Sequence, residues 1–168
     1  PTVMQLLPES CARRKVLPVG RLDKDTTGLL LFTNDGELAH RLLSPKRHVW
    51  KTYEATVTGR LTAADEEAFA RGITLSDFTA LPARMEILSA GEDESLARVQ
   101  VREGKFHQIK RMFGALGHEV TALSRLTFGA LRLPAELPPG QYRELTEEEL
   151  SALREEAGLT EPERNEDA

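Results

Sequence analysis

Apolar positions along the chain recur with two different periods, and the changes between them mark out the elements. In WKTYEATVTG, residues 50–59, Tyr53, Ala55 and Val57 alternate with Thr52, Glu54 and Thr56, the two-residue period of a half-buried strand. Strand character recurs over 82–90, over 95–102 and in EVTALSRLTFGALRL from Glu119. TGLLLFTN, 27–34, is a short continuous apolar run bounded by turn residues and predicts one buried strand, with VLPVG as a brief extended piece ahead of it. Helical spacing appears in DGELAHRLLSP, where Leu38, Leu42 and Leu43 share a face before Pro45. It appears again in KFHQIKRMFGALG, where Ile109, Met112, Phe113 and Leu116 form a stripe stopped by Gly117. TVMQLL predicts a short helix closed by Pro8. Two further helices open on capping boxes, Thr62 with Asp65 over 62–71 and Thr146 with Glu149 for the last helix, where Leu145 and Leu150 are placed as a staple. Strands outnumber helices and their connections are mixed. The expected class is α+β, with a mixed, largely antiparallel sheet flanked by helices.

A length of 168 residues fits one domain with a substantial core. No run approaches the roughly 18–20 apolar residues of a membrane span, and no charged-then-apolar signal pattern opens the chain, so no membrane partner is expected. The single Cys11 excludes an intramolecular disulfide and a multi-cysteine metal site, and points to a reducing, cytoplasmic setting. His40, His48, His107 and His118 are scattered without ligand spacing; neither a metal nor a cofactor is expected. The net charge of −5 is unevenly spread. Residues 144–168 carry ten acids and two bases, while 1–143 carry 17 acids and 20 bases. The expected organisation is a folded domain over 1–157 and an acidic, disordered tail over 158–168. Basic clusters at Arg13–Lys15, Lys46–His48 and Lys105–Arg111 are ordinary solvated faces taken singly, unless chemistry elsewhere asks for a polyanion.

Three stretches carry candidate chemistry. In GRLDKDTTG, Asp23 lies in a loop bracketed by Gly20 and Gly28 that leads straight into the apolar run. A fixed, partly shielded carboxylate there suits nucleophilic or acid–base work. On local physics alone a turn in which Asp23 or Asp25 caps backbone N–H groups is the favoured explanation. In EGKFHQIKRMF, Lys105, Lys110 and Arg111 sit at a helix start, where cations oppose the helix dipole and so imply an anion nearby; a solvated basic face is the alternative. Lys110 and Arg111 point about 100° apart, so only one can readily pair with a given acid. In KTY, Tyr53 is either a core tyrosine or a ring that stacks on a base with a hydroxyl free for proton transfer. Asp23 and Asp25 also spell a D-x-D metal motif, for which no further ligands are evident.

GRLDKDTTGLLLFTNDGELAHRL, KTY, EGKFHQIKRMFGALGHEV, SRLTFG and LPPGQYRELTEEEL, in this order and spacing, resemble the RsuA-type branch of the pseudouridine synthases over about residues 1–155. The resemblance implies that family's catalytic fold with a central active-site cleft, and isomerisation of a uridine in ribosomal RNA. HQIKRMF with PPGQYRELTEEEL is closer to enzymes of the small subunit; large-subunit RNA, or a catalytically silent ribosome-assembly module, are the alternatives. By resemblance Asp23 is the catalytic aspartate acting on the ribose, Tyr53 stacks on the uracil and assists proton transfer, and Lys110 pairs with the aspartate, Arg111 beside it leaving that pairing open. Arg21 would fill the gap left by the flipped nucleotide. Further RNA contacts are expected from Thr26, Lys51, Lys105, His107, Gln108, Arg111 and Arg125. Reaching a stacked uridine costs a few kcal/mol and calls for such a plug and platform. The implied partner is ribosomal RNA or a subunit-assembly intermediate, met by a monomer. Family members usually carry an N-terminal RNA-binding domain and a first catalytic strand before the PTV segment; the chain as given starts at that segment and is expected to bind RNA poorly.

Overall fold

The computed structural model describes residues 2–47, 49–105 and 107–159. His48 of the second basic cluster and residues 160–168 of the expected tail lie outside these. A 3-10 turn over Val3–Leu6 precedes α1 (Glu9–Arg13), β1 (Leu17–Pro18), β2 (Thr27–Gly28), β3 (Phe32–Thr33) and α2 (Gly36–Leu43). The main body follows as β4 (Lys51–Thr58), α3 (Ala63–Arg71), β5 (Arg84–Ala90), β6 (Glu94–Val101), α4 (Gln108–Ala115), β7 (Val120–Phe128), β8 (Leu131–Arg132) and α5 (Glu147–Glu156). The fold is α+β, as its patterning predicts. Among the described residues no helix is long and apolar enough to cross a membrane.

The main sheet runs in the order β2-β7-β4-β6-β5, with β8 hairpinned onto β7. Every pairing in it is antiparallel except β2 with β7. The alternation read from 50–59 sets the sheet's inner face: Ala55 and Val57 are fully buried beside Val99 and Ala97 of β6. Against that face pack Phe69 of α3 and Met112 and Phe113 of α4, the rings of Phe69 and Phe113 meeting at 4.8 Å between centroids. Burying each such side chain is worth about 1.5–3 kcal/mol. A second cluster joins Val19, Leu29, Leu31, Leu38, Leu42, Phe128 and Leu153, and fastens the N-terminal segments and α5 to the near end of the sheet. The two predicted capping boxes are both formed, at Thr62–Asp65 and Thr146–Glu149.

The single strand predicted over 27–34 is instead divided. Thr27 and Gly28 pair in parallel with Ser124 and Arg125, after which the chain leaves that sheet and Phe32 and Thr33 pair with β1. Leu29 and Leu31 are buried as expected, but by the second cluster rather than within one continuous ladder. Leu43 is 40% exposed and Leu150 42% exposed, so the apolar faces drawn through them are narrower than the spacing suggests. Gly158 and Leu159, placed in the tail by composition, still belong to the folded body: both N–H groups bond back to α5, and Leu159 packs on the second cluster.

Candidate active site

Asp23 is delivered by a loop whose two ends are fixed by glycine. Gly20 adopts φ +72° and Gly28 φ +109°, conformations that side chains disfavour. A Cβ on Gly28 would lie 2.2 Å from the Arg125 carbonyl oxygen, so only glycine permits β2 to approach β7 this closely. The junction is then clamped from both sides: the Leu29 N–H donates to Arg125 O, and Arg125 Nε donates to Leu29 O, both at 2.8 Å. Inside the loop the Thr26 N–H donates to Asp23 O at 2.9 Å, a turn made by the backbone rather than by the Asp23 carboxylate.

A cleft of about 490 Å³ opens between this loop, the ends of β4 and β6, and the start of α4. Asp23, Arg21 and Thr26 line one wall, Lys105, His107 and Gln108 another, and Tyr53, Lys51 and Arg125 lie along the strands. Nine of the eleven residues singled out in the sequence therefore border one cavity. The Asp23 side chain is 29% exposed. Its Oδ1 lies 3.5 Å from His107 Nε2 and its Oδ2 3.9 Å from Lys110 Nζ. Tyr53 is half-buried on the inner face of β4, in register with Val99 on one side and Arg125 on the other.

The choice between Lys110 and Arg111 is resolved by helix phase. Lys110 faces the acidic loop and sits closest to Asp25, at 2.5 Å, while reaching Asp23; it borders a second depression with Asp25 rather than the main cleft. That hydrogen bond holds the exposed Asp25 carboxyl below the usual carboxylate range. The Lys110 ammonium thus already occupies the space between the two carboxylates of the D-x-D pair. Arg111 points the other way and pairs with Asp77, Nη1 to Oδ2 at 3.3 Å, outside the cleft.

Other expected RNA contacts have structural work. Gln108 is buried; its Oε1 accepts from the Lys105 N–H at 3.1 Å and its Nε2 lies 3.6 Å from Met112 Sδ, so its amide braces the loop into α4. Lys105 Nζ sits 5.8 Å from the Phe78 ring. Arg21 is exposed at the cleft edge. Two features escape the sequence. His107 becomes a direct neighbour of Asp23 because it takes a left-handed conformation, φ +48°, at the helix entry, which nothing in its residue type foretells. Glu103 is buried in the cleft and accepts from the Leu81 N–H at 3.1 Å. Beside it Lys51 is buried, and desolvation, reinforced by Arg125 and opposed by Glu103, pulls its pKa down to about 8.

A sequence profile described as RNA pseudouridylate synthase matches residues 2–115. The chain belongs to this family. Among its relatives is an uncharacterized RNA pseudouridine synthase, YtzG, of Bacillus subtilis, 46% identical over 155 residues that cover 92% of this chain and 65% of the relative. Ribosomal small subunit pseudouridine synthase A of Escherichia coli is 42% identical over 155 residues, covering 91% of this chain and 65% of that protein. A crystal structure of a pseudouridylate synthase superimposes with a TM-score of 0.85 at 39% identity, over 91% of this chain and 65% of that one. The chain therefore spans about 65% of the length of each of these proteins, and it shares its fold with the matched part of the solved pseudouridylate synthase.

Proposed function

We propose that the chain is the catalytic domain of a pseudouridine synthase that isomerises a uridine in ribosomal RNA of the small subunit. The observation that carries the proposal is the meeting of Asp23, backed by His107 and Lys110, with Tyr53 across one cleft. The target nucleotide leaves its stack and enters base first, with Tyr53 offering a face for the uracil and Arg21 at the rim to occupy the vacated position. Asp23 acts on the ribose, as a nucleophile or as a base, and the C1′–N1 bond breaks. The uracil turns in place, C5 bonds to C1′, the C5 proton leaves and N1 gains one. No oxidation state changes, so positioned acid, base and stacking groups suffice. The small-subunit assignment is supported by the name of the Escherichia coli relative at 42% identity.

The test is to incubate the chain with protein-free small-subunit RNA, with a small-subunit assembly intermediate and with large-subunit RNA, and to map new pseudouridines by carbodiimide chemistry. One new modified position is expected. Modification confined to large-subunit RNA would overturn the substrate assignment. Binding of RNA with no modification in any arm would leave a binding module and overturn the enzymatic proposal.

A further inference from the structure

Two cations at the floor of the cleft have no anionic partner within hydrogen-bond reach among the described residues. Lys51 is 4% exposed and makes neither a hydrogen bond nor an ion pair there; its ammonium lies 5.2 Å from the Phe128 ring. Arg125 is 3% exposed and spends Nε on Leu29 O, but its Nη2 is buried with no partner. Glu103, the buried acid of the cleft, is held by the Leu81 N–H. Glu103 offsets only part of the cost of taking Lys51 out of water, and the repulsion from Arg125 adds to that cost. Folding alone favours an apolar residue at position 51, and the clamp to Leu29 uses only Nε of Arg125, so the buried ammonium and the unpartnered Nη2 together ask for a ligand.

Their placement says which part of a ligand they meet. Arg125 is directly across from Tyr53 in the β4–β7 pairing, a separation of about 5 Å between Cβ atoms. Lys51 is two residues along β4 on the same face, about 7 Å away. A pyrimidine lying on Tyr53 therefore turns its edge oxygens toward both cations. The phosphates of a flipped nucleotide stay at the mouth, because the base enters first.

We infer that Lys51 and Arg125 form an anion site for the detached pyrimidine, holding the negative charge its carbonyl oxygens acquire when the glycosidic bond breaks. This rests on the isomerase function proposed above. When C1′–N1 breaks, N1 keeps the electron pair, and the free base is an anion whose charge is shared with O2 and O4. Forming C5–C1′ returns that electron density to a bond, and the proton lost from C5 is balanced by one gained at N1. Neutral uracil presents only dipoles to the two cations, whereas the detached base presents a full charge. The floor thus favours the state after bond cleavage over the bound substrate, which is what accelerates a step.

The experiment compares the chain with its Lys51→Met and Lys51→Arg variants in three measurements. These are single-turnover release of C5 tritium from labelled small-subunit RNA, filter binding of the same RNA, and calorimetric binding of uracil against 5-nitrouracil, whose ring is ionised near neutral pH. Lys51→Met is expected to lower the single-turnover rate by about 10²–10³-fold, as loss of a preorganised charge-stabilising group does, with RNA affinity nearly unchanged. Lys51→Arg is expected to recover most of the rate. The chain is expected to prefer 5-nitrouracil over uracil, and Lys51→Met to erase that preference while Lys51→Arg keeps it. An RNA-affinity loss as large as the rate loss would assign the cations to a phosphate and overturn the inference. Equal binding of the two pyrimidines by the unmodified chain would also overturn it, whether or not RNA is converted. The anion preference without any turnover would uphold the site and count against the proposed function alone.

Discussion

Lys51→Met is expected to make the protein more stable. Burial and the neighbouring Arg125 bring the lysine from 10.5 to about 8, against the opposing pull of Glu103. At about 1.4 kcal/mol per factor of ten, this amounts to about 3 kcal/mol in favour of the neutral amine within the fold. At pH 7 the amine is nevertheless charged, so the folded state bears that burden, a large share of the roughly 5–15 kcal/mol typical of a domain. The unfolded chain holds the proton up to 10.5 and the folded chain releases it near 8. Between these values the unfolded state binds more protons, and stability rises with pH. Methionine keeps an unbranched, apolar stem of similar length and drops the charge. In urea at pH 7 the variant should therefore unfold later, by up to about 3 kcal/mol, or about 1–3 M at ordinary urea sensitivities. The advantage should shrink as pH is raised from 8 toward 10.5. A variant less stable than the parent at pH 7, or a gap indifferent to pH in that window, would refute the burial argument.

Asp23→Asn should reduce tritium release by at least about 10³-fold while leaving the urea midpoint in place; full turnover would remove Asp23 from the chemistry. Gly28→Ala should destabilise by several kcal/mol, because its Cβ meets the Arg125 carbonyl in a left-handed conformation, and an unchanged midpoint would contradict the close approach of β2 and β7. Glu149, hydrogen-bonded by Arg143 at 2.7 and 2.8 Å and capping α5, is held down to about 2. Its contribution is complete above 4.5 and lost as pH falls through about 2, so the helix signal of the parent should weaken over that range while Glu149→Gln shows no such step.

Elements whose cause is local were legible in the chain. The alternation from Thr52 to Val57 gave β4 because period two needs no distant information, and both capping boxes formed because their partners are three residues apart. TGLLLFTN misled because continuous apolarity reports burial but not which neighbour supplies it; β7 takes Thr27 and Gly28, and β1 takes Phe32 and Thr33. The five-residue α1 offers too few turns for a period to show. Asp23 and Tyr53 stood out by motif, whereas the pairing of Lys110 with the acidic loop and of Arg111 with Asp77 needed the phase of α4 in space. His107 beside Asp23 depends on a backbone angle that no residue pattern announces.

The clamp between Leu29 and Arg125 ties together residues 96 positions apart in the chain. During synthesis the acidic loop and Tyr53 emerge from the ribosome long before the strand that fixes them. A nascent chain stopped anywhere short of β7 would carry the acid and the aromatic ring without the frame that holds them opposite each other. Activity should thus switch on late and abruptly along a series of C-terminal truncations, rather than accumulate motif by motif.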